Sequence, residues 1–130
     1  MEDNIQNKSS NMVNKLLNYY ISTLNFEQDV GNFLRQKTNT PRLYSNDLRH
    51  QYASAITAQQ LGQLPAKLLG NFNEIVHPGL QDDTKIDQYN NQIGRQYAMK
   101  YPYFSKQQYL EKFFNDADII RQQRKKDIGF

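Results

Sequence analysis

Apolar residues recur three or four positions apart in every long segment of this chain, and strict alternation of apolar and polar residues is hard to find. The first spacing places side chains on one face of a helix, whereas alternation is typical of a half-buried strand. A chain of 130 residues is long enough to bury a core of its own. The pattern predicts an all-α fold, a single compact bundle of about five helices over residues 9–130, after a disordered tail at residues 1–8.

Breaks in this pattern set the expected bounds of the helices. Capping residues, glycines and prolines divide the chain into five helical segments. These are residues 9–37 (bent or broken at Asn25 or Gly31), about 46–61 after a cap at Ser45 or Asn46, about 65–76, about 83–100, and one last helix after a cap at Ser105. The second segment carries apolar or small residues nearly all round, which predicts a central position in the bundle.

Two helices carry a face of small or polar residues beside their apolar face. In the third helix, Ala66 and Gly70 leave room for another helix, with Glu74 at the edge of that contact. In the fourth helix, Gly94 leaves similar room within a band of acidic and amide side chains. The expected apolar faces are Leu68, Leu69, Phe72, Ile75 and Val76 in the third helix, and Ile86, Tyr89, Ile93 and Tyr97 in the fourth.

Polar residues recur on three of these helices in a pattern that favours one shared cluster. They are Asp47, Arg49 and His50 in the second helix, Glu74 in the third, and Asp83, Asp87, Asn90, Asn91 and Arg95 in the fourth. Such a cluster is either a chemical site or a polar lock inside a helical bundle, and the sequence leaves both interpretations open.

In the catalytic interpretation, His50 is a general base and Asp47, three residues earlier on the same helix face, supports it. Asp83, Asp87 and Glu74 then supply oxygen ligands for a divalent cation. This assembly suits hydrolysis of a phosphoester or a lipid headgroup, as in a small hydrolase or an antibacterial effector.

In the structural interpretation, Arg49 and Arg95 pair with Glu74 and Asp87 between helices, and Asn90 bonds a neighbouring backbone. Networks of this kind fix the register of helices whose apolar faces are otherwise interchangeable. In the catalytic interpretation the same two arginines hold a phosphate or a carboxylate.

The residues of this cluster carry two resemblances to known families. Residues 46–50, Glu74 and residues 87–95 resemble a group of uncharacterised bacterial all-helical domains, some of them attached to secreted or toxin-like proteins. The spacing within residues 83–95, together with residues 66–74, is similar to serum amyloid A. The second resemblance implies a four-helix bundle locked by acid–arginine–amide contacts, with lipid or apolar ligands bound on helix surfaces.

Composition restricts the classes of partner. The chain has no cysteine, so disulfides and thiolate metal sites are excluded. The net charge of +3 is modest, and the basic residues near the end of the chain are interpreted as solvated cations that complement a helix dipole, without a nucleic-acid signature. These residues are Arg121, Arg124, Lys125 and Lys126. The expected partner is a protein or a small apolar or lipid ligand.

The sequence contains no apolar run that approaches the roughly 20 residues of a membrane span. Its first residues are acidic and polar and are followed by no apolar signal region. We therefore expect a cytoplasmic protein, or one exported without a cleavable signal peptide. The expected function is a bacterial interaction or ligand-binding domain with a buried polar network, with the hydrolase or effector as the alternative.

Overall fold

The computed structural model describes residues 25–76 and 81–130, without the side chains of residues 71–76, 81 and 82. These ranges contain six helical segments and no strand, which confirms the predicted all-α fold. The segments are α1 at residues 25–37, α2 at Arg42–Leu61, α3 at Gln63–Val76, α4 at Gln81–Lys100, α5 at Lys106–Asn115 and α6 at Ala117–Ile128. The predicted tail and the predicted helical residues 9–24 lie outside the described residues.

The single last helix of the sequence prediction is two helices, α5 and α6, which gives six segments instead of about five. The first of them begins as predicted, because Ser105 and Gln108 form a capping box in which each side chain bonds the other residue's backbone N–H. It ends at Asn115, and its C-cap is Asp116, whose backbone (φ −92°, ψ 3°) departs from helical geometry. Asp116 is held by α4, since its carboxylate accepts a hydrogen bond of 2.7 Å from the Tyr97 hydroxyl.

Helix α2 begins at Arg42, earlier than the predicted cap at Ser45 or Asn46. Its N-cap is Pro41, which has helical φ and ψ and makes no side-chain capping bond. The proline ring fixes φ near the helical value, so the helix begins directly after it. At the other end Gly62 has a φ of 96°, which terminates α2 as predicted and permits the tight connection to α3.

The predicted central position of α2 is confirmed, because it packs against α3, α4 and α5. Helix α1 contributes Phe26, whose ring meets that of Tyr52 edge-to-face with centroids 5.6 Å apart. The buried apolar residues form one core: Phe26, Val30, Phe33, Leu34, Leu48, Tyr52, Ala55, Ile56, Ala58, Ala66, Ala98, Tyr109, Leu110, Phe113 and Ile120.

The face of α4 that packs against α2 is the polar one. Asn90 is fully buried and Asn91 is 7% exposed, whereas Ile86 and Ile93 of the expected apolar stripe are only half-buried. The predicted close approach at Gly94 is confirmed, because a Cβ there would lie 2.3 Å from the backbone oxygen of Gln51. Short side chains allow α2 and α4 to approach this closely, so the amide band lies between the helices instead of beside the core.

Helix α3 also packs through its small-residue face. Ala66 is buried, and Gly70 lies against the side-chain amide of Asn91. The expected burial of Leu68 is wrong, because Leu68 is 59% exposed and Leu64 is 66% exposed. The small residues give α3 the closer contact with α4, and this turns the leucines towards the surface.

Candidate functional site

The polar residues of α2 and α4 meet along the face that the two helices share. Facing residues on each helix are three or four positions apart, so each helix presents one continuous row. The row on α4 is Asp87, Asn90, Asn91 and Gly94, and the row on α2 is Asn46, Asp47, His50, Gln51 and Ser54. The structure thus brings together five of the residues singled out in the sequence, Asp47, His50, Asp87, Asn90 and Asn91.

One half of this network surrounds the carboxylate of Asp47. Arg124 Nη1 lies 3.0 Å from Asp47 Oδ1, and Arg121 Nε lies 3.1 Å from Asp47 Oδ2. Asn90 Nδ2 also donates to Oδ1 at 2.9 Å, and Gln51 Nε2 donates to Asn90 Oδ1 at 3.0 Å. The Asp47 cluster, formed by these five residues, therefore ties α2, α4 and α6 together through charge-assisted hydrogen bonds.

The Asp47 cluster is mostly buried and fully paired. Asn90, Gln51 and Arg124 are between 0% and 8% exposed, and Asp47 and Arg121 are half-buried. Arg124 Nε donates to the backbone oxygen of Phe130 at 3.0 Å, and Arg121 donates to the backbone oxygen of Leu43. Among the described residues, every buried side-chain nitrogen and oxygen has a hydrogen-bond partner. The Asp47 carboxylate therefore has charged partners on both oxygens.

The other half of the network, the His50 cluster, surrounds the imidazole. His50 Nε2 lies 3.3 Å from Asp87 Oδ1, and Nδ1 lies 3.2 Å from Asn91 Oδ1. Asn46 Nδ2 donates to the same Asp87 oxygen at 3.1 Å, and Ser54 Oγ donates to Asn91 Oδ1 at 3.1 Å. The carboxylate paired with His50 is thus Asp87, across the helix interface, whereas the predicted partner was Asp47.

Burial is the main influence on the protonation of His50. It lowers the pKa of the imidazole below its ordinary value, and the nearby Arg49 guanidinium acts in the same direction. The carboxylate of Asp87 and the Asn91 oxygen raise the pKa, but they do not overcome the effect of burial. The ring is therefore neutral at pH 7 and donates one proton, to Asp87 or to Asn91 according to its tautomer.

Two of the predicted site residues lie away from this network, and a third lies at its edge. Arg49 Nη1 pairs with Glu27 Oε1 of α1 at 2.8 Å instead of with Asp87, and Arg49 Nη2 donates to Asn46 Oδ1 of the His50 cluster at 3.1 Å. Arg95 lines a cleft on another side of α4, and Asp83 is exposed to solvent. Glu74 is helical within α3, but its side chain is not among the described ones.

The predicted divalent-cation site stays a prediction. The described residues contain no group of three histidine, aspartate or glutamate side chains arranged to hold a metal ion. Of the predicted ligands, Asp87 already accepts from Asn46 and pairs with His50, and the side chain of Glu74 lies outside the description.

The two arginines of the Asp47 cluster were not among the predicted site residues. The expectation that Arg121 and Arg124 are solvated cations is wrong, because Arg124 is 8% exposed and both arginines bind Asp47. Lys125 and Lys126 are exposed, as expected. The available signal was spacing, since Arg121 and Arg124 are three residues apart and Arg124 follows the apolar Ile120 by four, on the same face of α6.

A second kind of contact also joins the helices. Three tyrosine hydroxyls each donate to an aspartate of another segment at 2.7–2.8 Å. The pairs are Tyr52 with Asp29, Tyr89 with Asp127, and Tyr97 with Asp116. Burial raises the pKa of each of these phenols, and that of Tyr89 reaches about 12. Hydrogen bonding to the carboxylate acts in the same direction, because it favours the protonated phenol.

Comparison of the chain with protein-family models, with curated proteins and with solved structures gave no match. No helix in the described part of the chain has the length and apolar character needed to cross a bilayer. A functional conclusion therefore depends on the residues themselves and their contacts.

Proposed function

We propose that this protein is a small helical interaction or ligand-binding domain, and that the polar network between α2, α4 and α6 is a structural lock. The observation that carries the proposal is the pairing of Asp47. Its two oxygens receive two arginines and one amide, all from other helices. Side chains so fully occupied have little capacity left for a substrate, but they define a single relative position for three helices.

The surface of α3 supports an interaction role. Leu64 and Leu68 expose most of their side chains on one side of this helix. Apolar side chains that are grouped on a surface are typical of sites that bind a protein or an apolar ligand. This agrees with the partner class expected from the sequence, a protein or a small apolar or lipid ligand.

The second candidate function is the hydrolase or effector, and the pairing of His50 with Asp87 favours it. A carboxylate that orients an imidazole is the usual support for a general base. Here, however, the second ring nitrogen faces Asn91 Oδ1 at 3.2 Å instead of an open position. Three cavities of about 220–420 Å³ lined by described residues also lie elsewhere on the molecule. A base needs access to the proton that it removes, so the lock is the better-supported proposal.

The lock is tested by removing one partner from the Asp47 cluster. We expect Arg124→Gln to lower the free energy of unfolding by about 1–3 kcal/mol, because it removes one of the two charged partners of the half-buried Asp47 carboxylate. Lys125→Gln is the matched control, since it removes the same charge from an exposed neighbour on α6. Chemical denaturation of the three proteins measures the difference. Equal stabilities would contradict the lock.

The hydrolase candidate is tested by turnover of chromogenic phosphomonoesters and phosphodiesters, and of phospholipid vesicles, with the unmodified protein and with His50→Gln. The binding-domain proposal predicts no turnover that depends on His50. Hydrolysis by the unmodified protein that disappears in a folded His50→Gln variant would overturn the proposal in favour of the enzyme.

A further inference from the structure

A cleft of about 420 Å³ lies between α3, α4 and the end of α6, on a different side of α4 from the Asp47 and His50 clusters. Lys67 of α3 and Lys85 and Arg95 of α4 line it, together with the amide side chains of Gln88 and Gln92. Its volume is within the range of sites that hold small molecules. The cleft thus combines the size of a ligand site with three positive charges.

The described lining of this cleft contains no carboxylate. The ion pairs formed among the described side chains do not involve Lys67, Lys85 or Arg95. Asp127 lies near the cleft through its contact with Tyr89, a lining residue, but both of its oxygens accept hydrogen bonds of 2.8 Å, one from Tyr89 and one from Gln123. These neutral donors leave the charge of Asp127 in place, so the cleft has three lining cations against one nearby carboxylate, and its described lining keeps a net positive charge.

Arg95 contributes directional hydrogen-bond donors to this cleft as well as a positive charge. It is half-buried, and burial lowers the pKa of its guanidinium, which indicates partial removal from water. A guanidinium offers five N–H donors in a planar fork that matches the oxygens of a phosphate or carboxylate. Lys67 and Lys85 add two exposed point charges, and the amides of Gln88 and Gln92 add neutral donors. This donor set suits an anion with several oxygens.

We propose that the cleft between α3, α4 and α6 binds a small polyvalent anion through phosphate or carboxylate groups held by Arg95, Lys67 and Lys85. This proposal rests on the proposed function of the protein as a binding domain, and it specifies the chemical class of the ligand. Phosphate and carboxylate share the oxygen chemistry that the cleft recognises, so both belong to one class and are separated by experiment.

The test uses calorimetric titration of the full chain with pyrophosphate and, separately, with citrate, each at constant ionic strength adjusted with sodium chloride. We expect saturable one-site binding and a higher melting temperature with at least one of the two anions. Lys67→Gln/Lys85→Gln removes two exposed cations of the cleft and is expected to weaken that binding about tenfold. Lys125→Gln/Lys126→Gln removes the same charge from α6 outside the cleft and is expected to retain the affinity.

Two results would overturn the assignment. One is the absence of saturable heat with both anions, and the other is an equal loss of affinity in the two double variants, which would indicate a response to net charge alone. If pyrophosphate binds more tightly than citrate, the ligand of the cleft is assigned to the phosphates. If citrate binds more tightly, it is assigned to the carboxylates. Release of phosphate from pyrophosphate that depends on His50 would contradict the proposed function while leaving the cleft assignment intact.

Discussion

At Gly94 the backbone of α4 touches α2 so closely that a single methyl group has no space. An added Cβ would lie 2.3 Å from Gln51 O, 2.8 Å from Ser54 Cβ and 3.0 Å from Ala55 N, and two of these three atoms belong to the backbone. Gly94→Ala therefore requires a shift of one helix against the other. We expect a loss of about 1–3 kcal/mol in unfolding free energy, even though alanine is the better helix former.

Gly31→Ala is the matched control for this substitution. Gly31 is also helical, but its nearest non-backbone neighbour is the flexible side chain of Arg35 at 3.4 Å. We expect the control to be neutral or up to about 1 kcal/mol more stable. Urea unfolding of both variants measures the two effects, and similar stability changes in both would contradict the close contact.

The burial of His50 predicts that stability depends on pH. The pKa of His50 is lower in the folded protein than in the unfolded chain, where it is close to 6.5. The unfolded chain therefore binds the proton first as the pH falls. The contribution of the neutral ring to stability is complete above about pH 6.5 and is lost as the pH falls towards the lower value of the folded state.

Unfolding free energies between pH 5 and pH 8 measure this dependence. We expect His50→Gln to be less sensitive to pH over this interval than the unmodified protein. A His50→Gln variant with an unchanged slope would show that another group controls the effect.

At the scale of the helix, α6 is held to the bundle by its arginines as much as by its apolar face. Only Ile120 and Arg124 of α6 are buried, and Arg121 and Arg124 bind Asp47 of α2. We expect Arg124→Gln to raise amide hydrogen exchange in α6 more than in α2, because local opening requires only the contacts of one element to be lost. Mass spectrometry of exchanged fragments measures this. Uniformly faster exchange in all helices would argue for a global effect instead.

The convergence of polar residues followed from local spacing, because residues three, four and seven positions apart share a face whatever surrounds the helix. This is why Asp83, Asp87, Asn90 and Gly94 could be placed in one band before the structure was known, although Asp83 is exposed in the structure. Spacing does not reveal which face of a helix finds a partner. Leu68 is exposed for this reason, since the small residues of α3 made the closer contact.

Contacts between distant elements were less accessible from the sequence. The pairing of Arg49 with Glu27 depends on how α1 crosses α2, and the pairing of Arg124 with Asp47 spans 77 positions of the chain. Neither leaves a local pattern, because basic residues near a helix end are usually solvated. The cleft between α3, α4 and α6 could not be predicted for the same reason. Lys67 and Lys85 line one cleft only once α3 and α4 have packed together.

At the scale of the whole molecule, buried tyrosine hydroxyls contribute to the free energy of unfolding until the solution becomes strongly alkaline. Tyr52, Tyr89, Tyr97 and Tyr109 all have a pKa raised by burial above the ordinary value of 10.0. The unfolded chain therefore loses these protons before the folded protein does. Their contribution to stability is complete below pH 10 and is lost as the pH rises through the higher folded values.

Absorbance of tyrosinate at 295 nm measures this directly during an alkaline titration. The chain has nine tyrosines, and we expect fewer than nine to ionise near pH 10 while the far-ultraviolet helical signal persists. The rest should ionise together with the loss of that signal. In concentrated denaturant all nine should titrate near pH 10. Complete ionisation near pH 10 in the folded protein would contradict the predicted shifts.

The amide-lined interface between α2 and α4 has a mechanical consequence. Two helices joined by aliphatic side chains can slide past each other by one turn, about 5.4 Å, and exchange one set of contacts for an equivalent set. Here the same displacement would separate Gln51 from Asn90 and His50 from Asn91, leaving directional groups without partners. Sliding would therefore cost the free energy of these hydrogen bonds, so α2 and α4 keep one alignment. Any adjustment to a bound molecule has to come from side chains on the outer surfaces of the helices.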